Sequence, residues 1–263
     1  MEERRSYQRS NFGETKALGK IMNLMIQMSK KIPTQFQKGI CWYKGGCVGI
    51  SSGLGLGGFM YVPSRYQTQD IEKVMKLIRQ FPLATVVTVD PESQRPFISH
   101  LPLVPRLEED CLILIGHLAR ANPHAKLLLK NKVTVIFHGP QGYITPSWYA
   151  QDNVPTWNYA VVHIQGSVRM LEETSEILDC VRVLSEEAEK DRAQPWKFWI
   201  PDDLVGERLA RAIVGFEIRV DSWQAKFKFS QNRNSADYAG VLKGLEEEGT
   251  ERALELRNWM QKD

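Results

Sequence analysis

Hydrophobic residues recur at helical spacing in three parts of the chain after residue 60. In the first, the apolar positions lie on one face of a 3.6-residue period, and Asp70 is a favoured residue for the N-cap; these positions are Ile71, Val74, Met75 and Ile78. This pattern predicts a helix over 71–80. Helices are also predicted over 173–190, with an acidic side, and over 237–261, with an interruption near Gly249.

Between these helices, short apolar or alternating segments predict strands. The predicted strands are 83–89, 97–104, 111–116, 133–138, 160–170, 213–220 and 223–229. The segments "DPESQRP" (90–96) and "PRLEED" (105–110) have the composition of turns between consecutive strands. Sequential strands joined by tight turns favour an antiparallel barrel over a parallel sheet. We therefore predict a mainly β fold of the α+β class with peripheral helices.

The first 59 residues differ from the rest in composition. The stretch 39–59 contains eight of the 19 glycines, which makes ordering costly in backbone entropy. Residues 1–59 are predicted to be a leader that is disordered or results from an upstream start site, and 60–263 to form the domain. Gly53, Gly55 and Gly58 match G-x-G-x-x-G, but no strand precedes them, so a dinucleotide site is not favoured.

The positive charge of the chain resides in this leader. The whole chain carries +3, whereas residues 1–59 hold nine basic and three acidic residues and residues 60–263 therefore carry −3. Sequence-independent DNA binding depends on neutralising phosphates, and a body of this charge does not favour it. No apolar stretch is long enough to span a bilayer. Cys111 and Cys180 lie in apolar periodic segments, as expected for core residues in a reducing compartment, so we predict a cytoplasmic protein.

The segment "GHLARANPHAKLLLKN" (116–131) combines a strand end with a helix start. Asn122 is a favoured N-cap and Pro123 suits the first helical position, so unpaired backbone N–H groups are expected there. Such groups attract anions, and Arg120 could add a guanidinium for a phosphate, with His117 on the same side. The alternative is that Arg120 pairs with a surface carboxylate and the cap only starts a helix.

A second segment, 139–159, is rich in glycine, proline and large aromatic residues. It is predicted to be a loop whose aromatic side chains stack on a flat ring or close a subunit interface. An ordinary aromatic core under a long loop explains the composition equally well. The aromatic residues concerned are Tyr143, Trp148, Tyr149, Trp157 and Tyr159.

The familiar catalytic motifs are absent from the sequence. There is no G-x-S-x-G, H-E-x-x-H or P-loop, and the cysteines and histidines show no paired metal-ligand spacing. We therefore predict no metal site, assign no catalytic residue and leave open whether the protein is an enzyme.

Five segments, in order, resemble the PaiB family of FMN-binding negative transcriptional regulators. They are "HLPLV" (100–104), "GHLARANP" (116–123), "GPQGYITPSWY" (139–149), "VPTWNYAVVHIQG" (154–166) and "KFSQNR" (228–233). The resemblance implies the FMN-binding split barrel related to pyridoxamine-phosphate oxidases, and a homodimer with flavin at the subunit interface. It also implies repression of sporulation and protease production, either by direct contact with DNA or through a partner.

The resemblance and the residue patterns converge on one candidate flavin site. Arg120, Asn122 and Pro123 are predicted to hold the phosphate, and His100 and His117, on adjacent strands, to line the same groove. Tyr143, Trp148, Tyr149 and Trp157 are predicted to cover the ring. Two alternatives remain open: a flavin-dependent oxidoreductase whose regulatory effect is indirect, and a haem-binding relative with a histidine as axial ligand.

Overall fold

The computed structural model describes residues 59–109, 111–129, 131–199 and 204–261. The predicted leader lies outside these residues except for Phe59. The strands are β1 (Gln67–Thr68), β2 (Leu83–Val89), β3 (Pro96–Pro102), β4 (Val104–Glu108), β5 (Cys111–Ala119), β6 (Val133–Ile144), β7 (Thr156–Met170) and β8 (Ile213–Lys228). The helices are α1 (Ile71–Gln80), α2 (His124–Leu128), α3 (Thr174–Glu189), α4 (Leu204–Arg211), α5 (Ser235–Glu248) and α6 (Glu251–Met260).

The strands form one antiparallel sheet that curls into a barrel. Its order is β3-β2-β6-β7-β8-β5-β4, with β1 paired to β8. The strands at the two ends of this order, β3 and β4, are consecutive in the chain and are separated only by Leu103. Because the two edges belong to one continuous segment, the sheet bends back on itself, and β3 contacts β5. This arrangement confirms the predicted antiparallel α+β architecture.

Alternation along the strands defines an inner and an outer face. In β2, Ala84 and Val86 are fully buried. Thr85 and Val87, which alternate with them along the strand, point outward and are half-buried. The inward residues of all the long strands form a single core, to which Phe137 and Trp223 contribute the largest side chains. A second, smaller cluster lies outside the sheet beneath α3 and α4, and consists of Ile115, Leu171, Ile177, Cys180 and Ala210.

The two C-terminal helices are separated at Gly249, as the sequence predicts, and the first begins at Ser235, two residues before the predicted start. The side chain of Asn234 caps α5 by accepting the N–H of Asp237, and α5 ends at Gly249, whose φ of 62° lies in the left-handed region. Thr250 then caps α6 by accepting the N–H of Ala253. No helix in the described residues is both long and apolar enough to cross a membrane.

Two sequence predictions about loops are wrong. Residues 105–108, predicted as part of a turn, belong to strand β4, because Val104 and Pro105 are buried and the segment pairs with β5. Much of 139–159 is also strand: β6 continues to Ile144 and β7 begins at Thr156. The register between these strands shifts between His138 and Gln141, so an irregularity accommodates the Gly-Pro sequence within the ladder.

Candidate functional site

One row of paired residues crosses the outer face of the barrel. The pairing registers align His100 on β3, Thr85 on β2, Ile136 on β6, His163 on β7 and Gln224 on β8. His100 is exposed, and its Nδ1 lies 3.2 Å from Thr85 Oγ1. Burial lowers the pKa of His163, and the nearby charge of His138 lowers it further. The row thus provides a polar surface with an imidazole at the edge and another near its centre.

His117 does not lie on a strand that is hydrogen-bonded to the strand of His100. It is on β5, which pairs with β4 and β8, whereas β3 pairs with β2. The prediction of adjacent strands is wrong because β4 lies between β3 and β5 in the chain and takes the pairing position beside β5. His117 lies on the same face of β5 as Ile115, on the side of the barrel that α3 covers, and burial lowers its pKa.

Arg120 is fixed by backbone carbonyl groups. Its Nε donates to the carbonyl oxygen of Arg211 at 2.6 Å, and its Nη2 donates to that of Ile213 at 2.7 Å. The residue is exposed, and it makes no ion pair with a carboxylate of the described residues. The expected alternative, a surface salt bridge, is therefore not what positions it. Two of the five guanidinium N–H groups are used, and the others have no acceptor in the described part of the chain.

The start of α2 does not offer the unpaired N–H groups that the sequence predicts. The side chain of Asn122 accepts the N–H of His124 at 3.0 Å, and the next two amides donate to the carbonyl oxygens of Asn122 and Pro123. A helix of only five residues satisfies its first donors through these short-range bonds. Any phosphate contact at this position must therefore come from side chains, above all from Arg120.

Asn122 instead belongs to a buried polar network around His124. The imidazole is fully buried, with Nδ1 2.8 Å from Ser99 Oγ and Nε2 3.0 Å from Thr88 Oγ1. Asn122 Nδ2 donates to the same Ser99 oxygen at 3.2 Å. Burial lowers the pKa of His124, which keeps the ring neutral so that one nitrogen donates and the other accepts. This histidine holds the Arg120–Pro123 turn against β2 and β3.

The predicted aromatic cover is divided between exposed and buried side chains. Tyr143 and Trp157 are exposed and lie on paired positions of β6 and β7, with ring centroids 6.3 Å apart. Trp148 instead packs against α5, where a Cβ atom added to Gly244 would lie 2.2 Å from its ring. Tyr149 is only 9% exposed, and Arg233 lies 4.3 Å above its ring. Only Tyr143 and Trp157 of the four present open aromatic surface.

Sequence analysis assigned no role to the basic residues of "KFSQNR", which lie beside this aromatic group. Lys228 Nζ donates to the carbonyl oxygen of Trp157 at 2.6 Å, and Arg233 stacks on Tyr149. The motif itself was visible in the sequence. Nothing in it indicated, however, that the turn after β8 would approach the β6–β7 connection.

The two halves of the predicted flavin site are at opposite ends of β8. Ala119, next to Arg120, pairs with Ile213 at the start of that strand, whereas Tyr159 pairs with Lys228 at its end. At about 3.3 Å per residue, these positions lie tens of ångströms apart along the strand. One chain therefore does not bring Arg120 together with Tyr143 and Trp157.

The residues at the Arg120 end nevertheless suit a phosphorylated cofactor. Arg120 is exposed, held in place by two carbonyl groups, and retains N–H donors that no described residue accepts. Guanidinium groups bind phosphate oxygens through such paired donors. The outer sheet face beside it carries polar and half-buried apolar side chains. This end of the barrel fits the phosphate of a flavin mononucleotide.

Comparisons with known proteins identify a flavin-binding domain. Residues 60–222 match the family described as "Putative FMN-binding domain". The chain is 36% identical over 205 residues to the Bacillus subtilis protein named "Protease synthase and sporulation protein PAI 2", covering 77% of this chain and 97% of that protein.

Solved structures of flavin proteins share the fold. The FAD- and haem-binding protein of Mycobacterium smegmatis has a TM-score of 0.51 and 14% identity, over 66% of this chain and 78% of that one. The flavocytochrome Anf3 of Azotobacter vinelandii has a TM-score of 0.51 and 15% identity, over 66% and 75%. The barrel is thus a flavin-binding split barrel, and the family match supports FMN as its cofactor. The chain belongs to the PaiB family of FMN-binding split-barrel proteins.

Proposed function

We propose that this protein binds FMN with its phosphate at Arg120 and its ring on the outer face of the barrel near His100. The observation that carries the proposal is the exposed Arg120 guanidinium, fixed by two carbonyl groups and still holding N–H donors that no described residue accepts. Asn122 and Pro123 shape the turn that follows Arg120, and His117 lies on β5, the strand that leads into this turn. When bound, FMN supplies hydride or single-electron transfer. Titration of the flavin-free protein with FMN and riboflavin, followed by flavin fluorescence, tests this assignment.

We further propose a homodimer that completes this site. Because Tyr143 and Trp157 lie at the other end of β8 from Arg120, a second copy of the chain must supply them if they are to cover the ring. Two apolar side chains on β2 and β3 support such an interface, since Leu83 is 63% and Ile98 is 52% exposed. Burying such exposed apolar side chains against a second copy of the chain is favourable.

For the biological role, we propose a negative transcriptional regulator in which flavin is the controlling ligand. The support is the name of the Bacillus relative, which refers to protease synthesis and sporulation. Because residues 60–263 carry net −3, we expect this cytoplasmic domain to bind DNA weakly unless a partner is present. A gel-shift assay at physiological salt tests this directly. Tight, sequence-selective binding by the purified chain would establish direct repression.

The second candidate is a flavin-dependent oxidoreductase whose product, rather than DNA contact, alters gene expression. The half-buried His163 and the exposed His100 on one register row favour it, because they place imidazoles beside the proposed ring position. Reduction of bound FMN by a nicotinamide nucleotide under anaerobic conditions tests this alternative. A haem-binding role would use one of these histidines as ligand, and would show a haem spectrum instead of a flavin spectrum.

A further inference from the structure

Three cationic side chains gather at the end of β8, and none of them has an ion-pair partner among the described residues. Lys226 and Lys228 point to the outer face of β8, and Arg233 follows in the next turn. Asp237, on the first turn of α5, is buried, but its carboxylate accepts the N–H of Ala150 and the side-chain amide of Asn234. Asp237 keeps its negative charge, so the three cations face one buried carboxylate and the local net charge is positive.

Two buried donors in the same place have no acceptor. The hydroxyl of Tyr149 is buried without a hydrogen-bond partner, and so is Nε of Arg233. The Arg233 guanidinium lies 4.3 Å above the Tyr149 ring and donates to no described residue. Buried polar groups are nearly always paired in native proteins, since leaving them unpaired is costly. Two unpaired donors side by side indicate a ligand with acceptor oxygens.

Lys228 adds a partly engaged ammonium group. Its Nζ donates to Thr156 Oγ1 at 2.5 Å and to the carbonyl oxygen of Trp157 at 2.6 Å, which leaves one of its three N–H groups. Burial lowers the pKa of Lys228, and the positive charges of Lys226 and Arg233 lower it further. An anion between these side chains would relieve their mutual repulsion.

We propose that Tyr149, Lys228 and Arg233 form an oxyanion site for the phosphate or carboxylate group of a second small molecule, which is not the phosphate of FMN. Trp157 lies beside the site and is 42% exposed, and Tyr143 lies next to it, so a planar or aromatic body can follow the anionic group. The proposal rests on the proposed function only in placing the FMN phosphate at Arg120, at the opposite end of β8.

Calorimetric titration of the full chain with inorganic phosphate, phenyl phosphate and phenol tests this site. Phenyl phosphate should bind more tightly than phosphate, and phenol should bind least. Lys228→Met and Arg233→Gln should each weaken phenyl phosphate binding by about tenfold or more, since each removes a charged hydrogen bond. Arg208→Gln, an exposed control on α4, should leave it unchanged. Absence of saturable phosphate binding, or an equal loss with the control, would overturn the proposal.

Tyr149→Phe separates a ligand-binding role from a structural one. Without phosphate the variant should melt at the same temperature as the wild type or higher, because it removes an unpaired buried hydroxyl. Added phosphate should stabilise it less than the wild type. A lower melting temperature without phosphate would mean that the hydroxyl is paired within the fold, and would contradict the proposal.

The same variants distinguish this site from the flavin site. Lys228→Met and Arg233→Gln should retain the wild-type preference for FMN over riboflavin. If they lose it, this cluster binds the FMN phosphate and the second-ligand proposal is wrong. If phosphate binds here but no flavin binds anywhere, the proposed function fails while the oxyanion site stands.

Discussion

Nη2 of Arg120 lies 2.7 Å from the carbonyl oxygen of Ile213, so the first residue of β8 helps to fix the guanidinium proposed to bind phosphate. Arg120→Ala should weaken FMN binding by about tenfold to a hundredfold, the effect of losing a hydrogen bond to a charged group. Riboflavin binding should change much less because riboflavin has no phosphate. Flavin fluorescence quenching with both ligands measures the difference. Equal losses for the two ligands would show that Arg120 acts only by holding the turn to β8.

The buried His124 predicts a decrease in stability at acid pH. Its pKa is lowered from the ordinary 6.5 in the folded chain, so the unfolded chain binds the proton first as the pH falls. The free energy of unfolding should therefore decrease below about pH 6.5, by up to about 1.4 kcal/mol per pH unit for this one group. Urea unfolding between neutral pH and mildly acidic pH measures the slope.

His124→Gln provides the control, because an amide offers a donor and an acceptor but does not titrate. Its unfolding free energy should depend less steeply on pH than that of the wild type. Some slope should remain, since burial also lowers the pKa values of His117 and His163. An unchanged slope would show that His124 does not contribute to the acid sensitivity.

The packing of Trp148 on α5 predicts a large effect from a very small substitution. A Cβ atom at Gly244 would lie 2.2 Å from the Trp148 ring, so Gly244→Ala should destabilise the protein by about 1–3 kcal/mol through overpacking. This destabilisation should appear although alanine has a higher helix propensity than glycine. In a Trp148→Ala background the same substitution should be neutral or stabilising. Thermal unfolding of the four variants tests this coupling, and simple additivity would contradict it.

The exposed apolar residues of β2 and β3 predict where the second copy binds. Ile98→Asp should convert the proposed dimer to a monomer at micromolar concentration, because a charge there would be buried at the interface. Light scattering measures the mass, and Leu107→Asp on the other edge strand, β4, serves as a matched control. A monomeric wild type, or a dimer that tolerates Ile98→Asp, would contradict the proposed interface.

The sequence was most informative where hydrophobic spacing and capping residues act locally. The helix over Ile71–Gln80 and the strand over Leu83–Val89 have the predicted bounds, because each has a clear period and an adjacent cap or turn. The break at Gly249 is also local, since glycine readily adopts a positive φ. Strand β4 was missed because pairing with β5, a tertiary contact, outweighs the turn-like composition of its sequence.

The candidate site was less predictable because its chemistry depends on contacts between distant segments. Arg120 is held by carbonyl groups more than 90 residues away, which no local pattern reveals. The first backbone N–H groups of the helix were expected to be unpaired, yet those of His124, Ala125 and Lys126 donate to oxygens of Asn122 and Pro123. Likewise, Trp148 was predicted to be open to a ligand or a partner. Its packing against Gly244, in a helix almost 100 residues later, could not be predicted from local sequence.

The absorbance spectrum of the purified full chain after incubation with FMN and removal of unbound ligand tests the central claim most directly. We expect the two visible and near-ultraviolet bands of bound oxidised flavin, at about one flavin per chain, since each chain of a dimer provides one Arg120 site. Arg120→Ala should retain less FMN than the wild type under the same conditions. A spectrum without flavin bands would contradict assignment of this barrel as an FMN site.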